Sequence, residues 1–255
     1  MAAAVHTEKA DDPERAAFRI ARKLLDEKAP ASGQTIFIKP NIVNASGPPV
    51  TTDYRVVKGI VAALRESGYT DILITEGSGT GSTLDNFNAL GYGAVDAERM
   101  DLDALPSRPV TVPEARIWTK IFLPEHLNNG FIVSVPALKD HSMLGVTLSL
   151  KNLVGALPAS HYSGYWTYKK SQIHRTDAHA CVADLIRVLR PDWSIVDGTV
   201  GMKESHIHGR PCSPPKNLVF GSCDPLEADK YGCSILGHDW TTIRYLKLIA
   251  SFWGP

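Results

Sequence analysis

Apolar residues recur at helical spacing over residues 14–28, at Ala17, Ile20, Ala21, Leu24 and Leu25, with Pro13 at the expected first turn. The pattern then changes period. TIFIKP at 35–40 is a short β-branched and aromatic run, read as a strand. A loop, NIVNASGPPVTT, leads to a helix through VVKGIVAALRESG, with Thr52 as its expected cap and a stop near Gly68. DILITEG at 71–77 reads as the next strand, followed by a glycine- and serine-rich turn and a helix around 85–98. The proline-punctuated stretch 101–129 reads as extended pieces, an insertion or a sheet edge.

FIVSVP at 131–136 resumes a buried strand. A helix from near Thr176 closes at LIRVLRPD, and WSIVDG at 193–198 and KNLVFGS are further strands. PLEADKYGCSILG and the amphipathic TTIRYLKLIASFWGP read as helices. Strands alternating with helices over short turns predict an α/β fold: a mostly parallel sheet flanked by helices, in a Rossmann-like layered architecture. One domain over residues 1–255 is expected, with a candidate lid or insertion at 158–176, where the chain turns rich in Tyr, Trp and His.

Charge changes the picture by exclusion. Lys plus Arg and Asp plus Glu both number 27, so the basic excess of a nucleic-acid binder is missing. No run approaches the ~18 apolar residues of a membrane span, and the opening residues carry no secretory pattern. Cys181, Cys212, Cys223 and Cys233 form no C-x-x-C pair, which argues against a zinc ribbon or an iron–sulfur motif. Reduced thiols and a cytoplasmic location are expected.

The polar residues that interrupt the apolar pattern carry the candidate chemistry. FIVSVPALKDHSMLGVTLSLKNLVGALP, residues 131–158, sets Lys139, Asp140, His141, Lys151 and Asn152 among Val, Leu and Met. Such groups are costly to bury unless paired or used. Lys39, Asn41, Glu76, Lys139, His141 and Asp197 all follow predicted strands, and ligands of open parallel sheets bind beyond strand carboxyl ends.

Lys39 and Asn41 could grip a carboxylate or phosphate, or Lys39 could simply pair with an acid. Glu76-Gly77-Ser78-Gly79-Thr80-Gly81 is either an anion cradle or a plain tight turn, and it matches neither a dinucleotide fingerprint nor a P-loop. His141, Lys151 and Glu76 are the candidate catalytic residues, as acid/base, nucleophile and base or metal ligand. Lys39, Asn41, Lys139, Asn152 and Ser78 are the candidate substrate contacts. A metal site would draw on His161, His174 and Asp197, with His206 and His208 in a nearby loop. Asp224, before Pro225, reads as a helix cap, with Asp229 following.

These motifs together resemble a known family. Lys39-Pro40-Asn41, Thr75-Glu76-Gly77, VPALKDHSMLGVTLSLKNLVG, ADLIRVLRPDWSIVDGTVGM and the run Gly221–Asp229 are similar, over about residues 35–237, to domain of unknown function 362 proteins. Many members carry an appended ferredoxin module, whose cysteine motif this chain lacks. More distantly, His141-x3-Gly145-x5-Lys151 is similar to a stretch of the nickel-dependent lactate racemases. That resemblance implies His141 as acid/base and Lys151 as tether of a nickel-pincer nucleotide. The turn after Glu76 lacks the racemases' histidine, so a shared scaffold is implied rather than the activity.

The expectation is an enzyme acting on a small anionic metabolite, using a divalent transition metal or a lysine-tethered cofactor in acid/base or redox chemistry. The alternative is a non-catalytic accessory or redox-partner protein. It would dock a cofactor or subunit through Tyr245, Phe252 and Trp253, the same helix being a candidate homo-oligomer contact.

Overall fold

The structure is a computed structural model that describes residues 3–254. Twelve strands run in chain order: β1 (His6–Lys9), β2 (Ile36–Pro40), β3 (Ile72–Glu76), β4 (Glu98–Asp101), β5 (Ser107–Thr111), β6 (Lys120–Pro124), β7 (Phe131–Val135), β8 (Ala137–His141), β9 (Gly145–Thr147), β10 (Trp193–Lys203), β11 (Arg210–Pro211) and β12 (Leu218–Ser222). Ten form one sheet, seven along the path β1-β12-β10-β7-β2-β3-β4 with β8 and β11 paired to β10 and β9 to β8, and β5 and β6 make a separate hairpin. β10, β7, β2, β3 and β4 run parallel, while β12 and β1 close one edge antiparallel.

Side chains along each central strand alternate between two cores. Ile36 and Ile38 of β2, Phe131 and Val133 of β7, and Trp193 and Ile195 of β10 face one cluster. Phe37, Ile132 and Val196, the intervening residues, face the other. Both faces are covered, which is why these strands read as unbroken apolar runs. The first face is covered by α1 (Pro13–Glu27), α2 (Tyr54–Glu66) and α3 (Thr83–Ala89). Short α4 (Ser149–Asn152) and α5 (Ala159–Tyr162), with α6 (Ala178–Val188), α7 (Pro225–Leu236) and α8 (Arg244–Ala250), serve the second.

The chain moves outward from β2 through β3 to β4, then returns to lay β7 on the opposite side of β2 and continues to β10. The β2/β7 boundary is therefore the topological switch point, where connections leave in opposite directions and a crevice opens beyond the strand ends. β8 continues β7 past Pro136 alongside β10, and it folds back into β9 through a turn where Gly145 has φ 82°. This hairpin, unmarked in the apolar pattern, raises one wall of the crevice.

Two local expectations change. The cap of α2 is Asp53, which accepts from Arg55 N–H, whereas Thr52 donates to the Val135 carbonyl and accepts from Asn41 N–H. Thr52 ties two strand ends together instead. The helix expected around 85–98 ends at Ala89, because left-handed Gly91 (φ 83°) turns the chain toward β4. Asp224 caps α7 as expected.

The terminal aromatics pack on the chain's own body. Tyr245 is fully buried, Phe252 lies under the Arg187 guanidinium at 4.0 Å, and Trp253 donates to Asp224 while facing Arg190 at 4.7 Å. The exposed patch expected of a docking helix is thus already engaged within the chain. No helix among the described residues is long and apolar enough to cross a membrane.

Candidate functional site

Strand ends set the first layer of the crevice. Lys39 closes β2 and Glu76 closes β3, and both are about 2 % exposed. Their side chains pair at 2.8 Å, and the other Glu76 oxygen accepts from Ile42 N–H at 3.0 Å. Gly77 N–H completes the set of Glu76 donors at 2.9 Å. Close by, Lys170 reaches both oxygens of Asp103 at 2.7 and 2.9 Å. Glycines make this proximity feasible: a Cβ on Gly155 would collide with Glu76 Oε1 and Lys39 Nζ, and one on Gly77 with Lys170 Nζ.

Asn152, at the end of α4, knits the same strand ends. It donates to the Lys39 carbonyl at 2.9 Å and accepts from Asn41 at 3.2 Å. α4 itself begins without a side-chain cap of its own. Asp229 of α7 supplies one from a distance, accepting from Ser149 N–H at 2.7 Å and Leu150 N–H at 3.1 Å. Lys151 is thereby aimed into a cavity of about 450 Å³.

Among the described residues, the opposite side of that cavity has no acid. Burial first, and the Lys39 charge second, push Lys151 down to about 8. Burial and the Lys151 charge push Lys139 down to about 7. Lys139 donates to the Val50 and His206 carbonyls, whereas neither lysine has a carboxylate in contact. His141, His174 and His206 also line the cavity. Burial and then the Lys151 charge depress all three, to about 4 for His174, about 3 for His206, and far below the usual range for His141.

Neutral His141 has a fixed tautomer. Its Nδ1 accepts from Met143 N–H at 3.1 Å and Leu144 N–H at 3.2 Å in the hairpin turn, so the proton sits on Nε2. The only ring lone pair is engaged, and His141 can donate to a ligand but has no free base. Its ring stacks on His206 at 4.0 Å.

Residues 158–176 cover the cavity with Trp166, Tyr168, Lys169 and Lys170. Lys169 N–H donates to the Gly79 carbonyl at 2.8 Å and its ammonium to the Gly81 carbonyl at 3.0 Å, tying the cover to the glycine turn. Trp166 stacks on His174 at 4.8 Å and is 48 % exposed at the rim.

Lys39, Asn41, Glu76, Lys139, His141, Lys151 and Asn152 thus converge around one crevice. Ser78 lies beside it but is engaged with Asn86, and the N–H groups of Gly77, Ser78 and Thr80 all meet protein acceptors. Three N–H groups of the glycine turn are thus engaged within the protein. Of the three residues expected to hold a metal, His174 lines the cavity, whereas His161 and Asp197 do not. His161 stacks on Phe122, Asp197 accepts from Asp53 and Thr199, and His174 stacks on Trp166. Among the described residues, no three His, Cys, Asp or Glu side chains are grouped to hold a metal ion.

Asp103, Lys169 and Lys170 escaped sequence reasoning. A Lys-Lys pair in a polar loop looks like solvated surface, and Asp103 lies in the stretch read as an irregular edge. Only the pairing of a buried lysine with a distant acid reveals them, and that needs the fold.

The molecule is therefore a mostly parallel α/β protein with a lysine- and histidine-lined cavity at its switch point. The chain belongs to the family described as domain of unknown function (DUF362), whose profile matches residues 36–234. Over 120 residues it is 26% identical to a protein of Synechocystis sp. named thylakoid-associated protein sll1697. That match takes in 47% of this chain and 36% of the relative, so it covers about a third of the relative's length.

Proposed function

We propose that this protein is an enzyme acting on a small anionic metabolite held in the switch-point cavity. The observation that carries the reading is Lys151, a desolvated amine facing the cavity with no carboxylate in contact. An amine of this kind both attracts an anion and, once deprotonated, attacks or deprotonates it. Lys139 and the Nε2–H of His141 supply further donors for an acid group, while Ile42, Leu144 and Ile173 exclude water.

Roles follow from hydrogen bonds already made. Lys151 is the reactive group, His141 a neutral donor, and Lys139 an anion contact. Glu76, saturated by Lys39 and two backbone N–H groups, holds Lys39 and the strand ends in place. A lysine-tethered cofactor would use the same amine. Four free cysteines fit a reducing compartment such as the cytoplasm.

Calorimetric titration with oxalate, acetate and inorganic phosphate, in two buffers of different ionisation enthalpy, tests this reading. Binding should draw a proton onto Lys151 near pH 8 and weaken up to tenfold per pH unit above that. Lys151→Met should reduce the proton uptake to the share drawn by Lys139, whose value is held at about 7. Binding with no proton uptake, or binding unchanged in Lys151→Met, would refute the assignment.

A further inference from the structure

We infer that Lys151 forms an imine with the carbonyl carbon of a small oxo acid. This rests on the cavity being an anion site and names the substrate class of that site. Geometry singles out this amine among the lysines that line the cavity. Lys139 donates to two backbone carbonyls, and Lys169 and Lys170 face Asp103. Lys151 has no such partner, and Asp229 fixes its short helix through two backbone N–H groups.

The surroundings suit both halves of an oxo acid. The carboxylate is met by the Lys139 ammonium and the Nε2–H of His141, which meet no acid in the protein. The carbonyl is met by the Lys151 lone pair, whose availability near neutral pH follows from burial and the Lys39 charge. Asn41 lines the same cavity, and its Oδ1 is a buried acceptor without a donor.

The step balances within the pair. The amine nitrogen bonds to the carbonyl carbon, giving a carbinolamine. The carbon–oxygen bond then breaks, and oxygen leaves as water with the two amine hydrogens. The imine nitrogen can take one proton from solvent, which makes the adjacent carbon electron-poor. No oxidant or reductant is required.

Trapping tests this on the intact protein. Pyruvate or 2-oxoglutarate is added with sodium cyanoborohydride, and the mass is compared with that from lactate or succinate, which lack the ketone. The expected result is one adduct, heavier by the oxo acid less one oxygen atom, mapped to Lys151. It should be at least tenfold less abundant in Lys151→Arg. Lactate and succinate should give none while slowing the reaction of the oxo acids, a comparison within the wild type that no folding defect can mimic. Adducts spread over surface lysines, or none above the Lys151→Arg level, would overturn the imine. If anions still bind with proton uptake in that case, the cavity reading stands and only the covalent step falls. If neither occurs, both fall.

Discussion

Two groups of buried or half-buried lysines face one another across this cavity and have opposite solutions to the same problem. On the β2–β3 side, Lys39 meets Glu76 and Lys170 meets Asp103, each within 2.8 Å. On the α4–β8 side, Lys151 and Lys139 meet no carboxylate, and the nearest titratable rings are neutral imidazoles. Burying an ammonium is costly on either side: burial holds Lys39 and Lys170 below the ordinary lysine value, but Glu76 and Asp103 offset part of that cost, and the other side has no such carboxylates. The difference separates scaffold from proposed site: one side carries its own counter-charges, and the other, on the proposed reading, is completed by an anion.

The largest effect comes from disturbing the complete side. Glu76→Gln keeps the shape but leaves Lys39 without its counter-charge, and we expect a loss of about 3–5 kcal/mol in denaturant unfolding. The loss should ease at high pH, where Lys39 can shed its proton. A variant as stable as wild type at pH 7 would show that the two sides do not differ as described.

The same operation on the incomplete side should have the opposite sign. Lys151→Met removes an unpaired ammonium and should raise stability at pH 7 by about 1–2 kcal/mol, a figure discounted for its partial exposure. The folded-state value of about 8 lies below the ordinary lysine value of 10.5, so the unfolded chain binds more protons between them. Wild-type stability therefore rises across that window, and the advantage of Lys151→Met should fade as pH climbs from 8 toward 10.5. Thermal unfolding of both proteins at pH 7, 8.5 and 10 measures this. A destabilised Lys151→Met would mean that the amine has an internal partner after all.

The sequence disclosed these sides unequally. Apolar periodicity revealed the parallel core because β2, β7 and β10 are covered on both faces and show it as unbroken runs. The strand-end rule brought Lys39, Glu76, Lys139 and His141 to one edge. Dense polar residues in an apolar run marked Lys151 and Asn152. Which lysine is neutralised was not legible, since Lys39 and Glu76 are 37 positions apart and Lys170 and Asp103 67 apart. Nor could spacing show that the Nδ1 of His141 is engaged by its own turn, which changes a candidate base into a donor. His161 and Asp197 looked free for a metal because the partners that occupy them, Phe122 and Asp53, lie far along the chain.

The smallest expected effect concerns Asp229, the carboxyl that caps α4 beneath Lys151. Its carboxyl is fully buried and pushed up to about 8, mainly by burial and against the pull of the Ser149 and Leu150 N–H groups. The ordinary value is 3.8, so between about 4 and 8 the folded protein holds a proton that the unfolded chain releases. The contribution of Asp229 to stability is then greatest at low pH and declines as pH rises through that window. An asparagine side chain in its place cannot titrate and accepts one N–H instead of two. Asp229→Asn should therefore cost about 1 kcal/mol near pH 5 and less near pH 8. A cost that grows with pH would mean that the two N–H donors outweigh burial and hold the group as a carboxylate. In both cases the loosened α4 should blunt proton uptake at Lys151 on oxalate binding while leaving the Lys39–Glu76 side intact, so anion affinity falls more than stability does. An equal fall in both would place Asp229 in the scaffold and remove its link to the Lys151 amine.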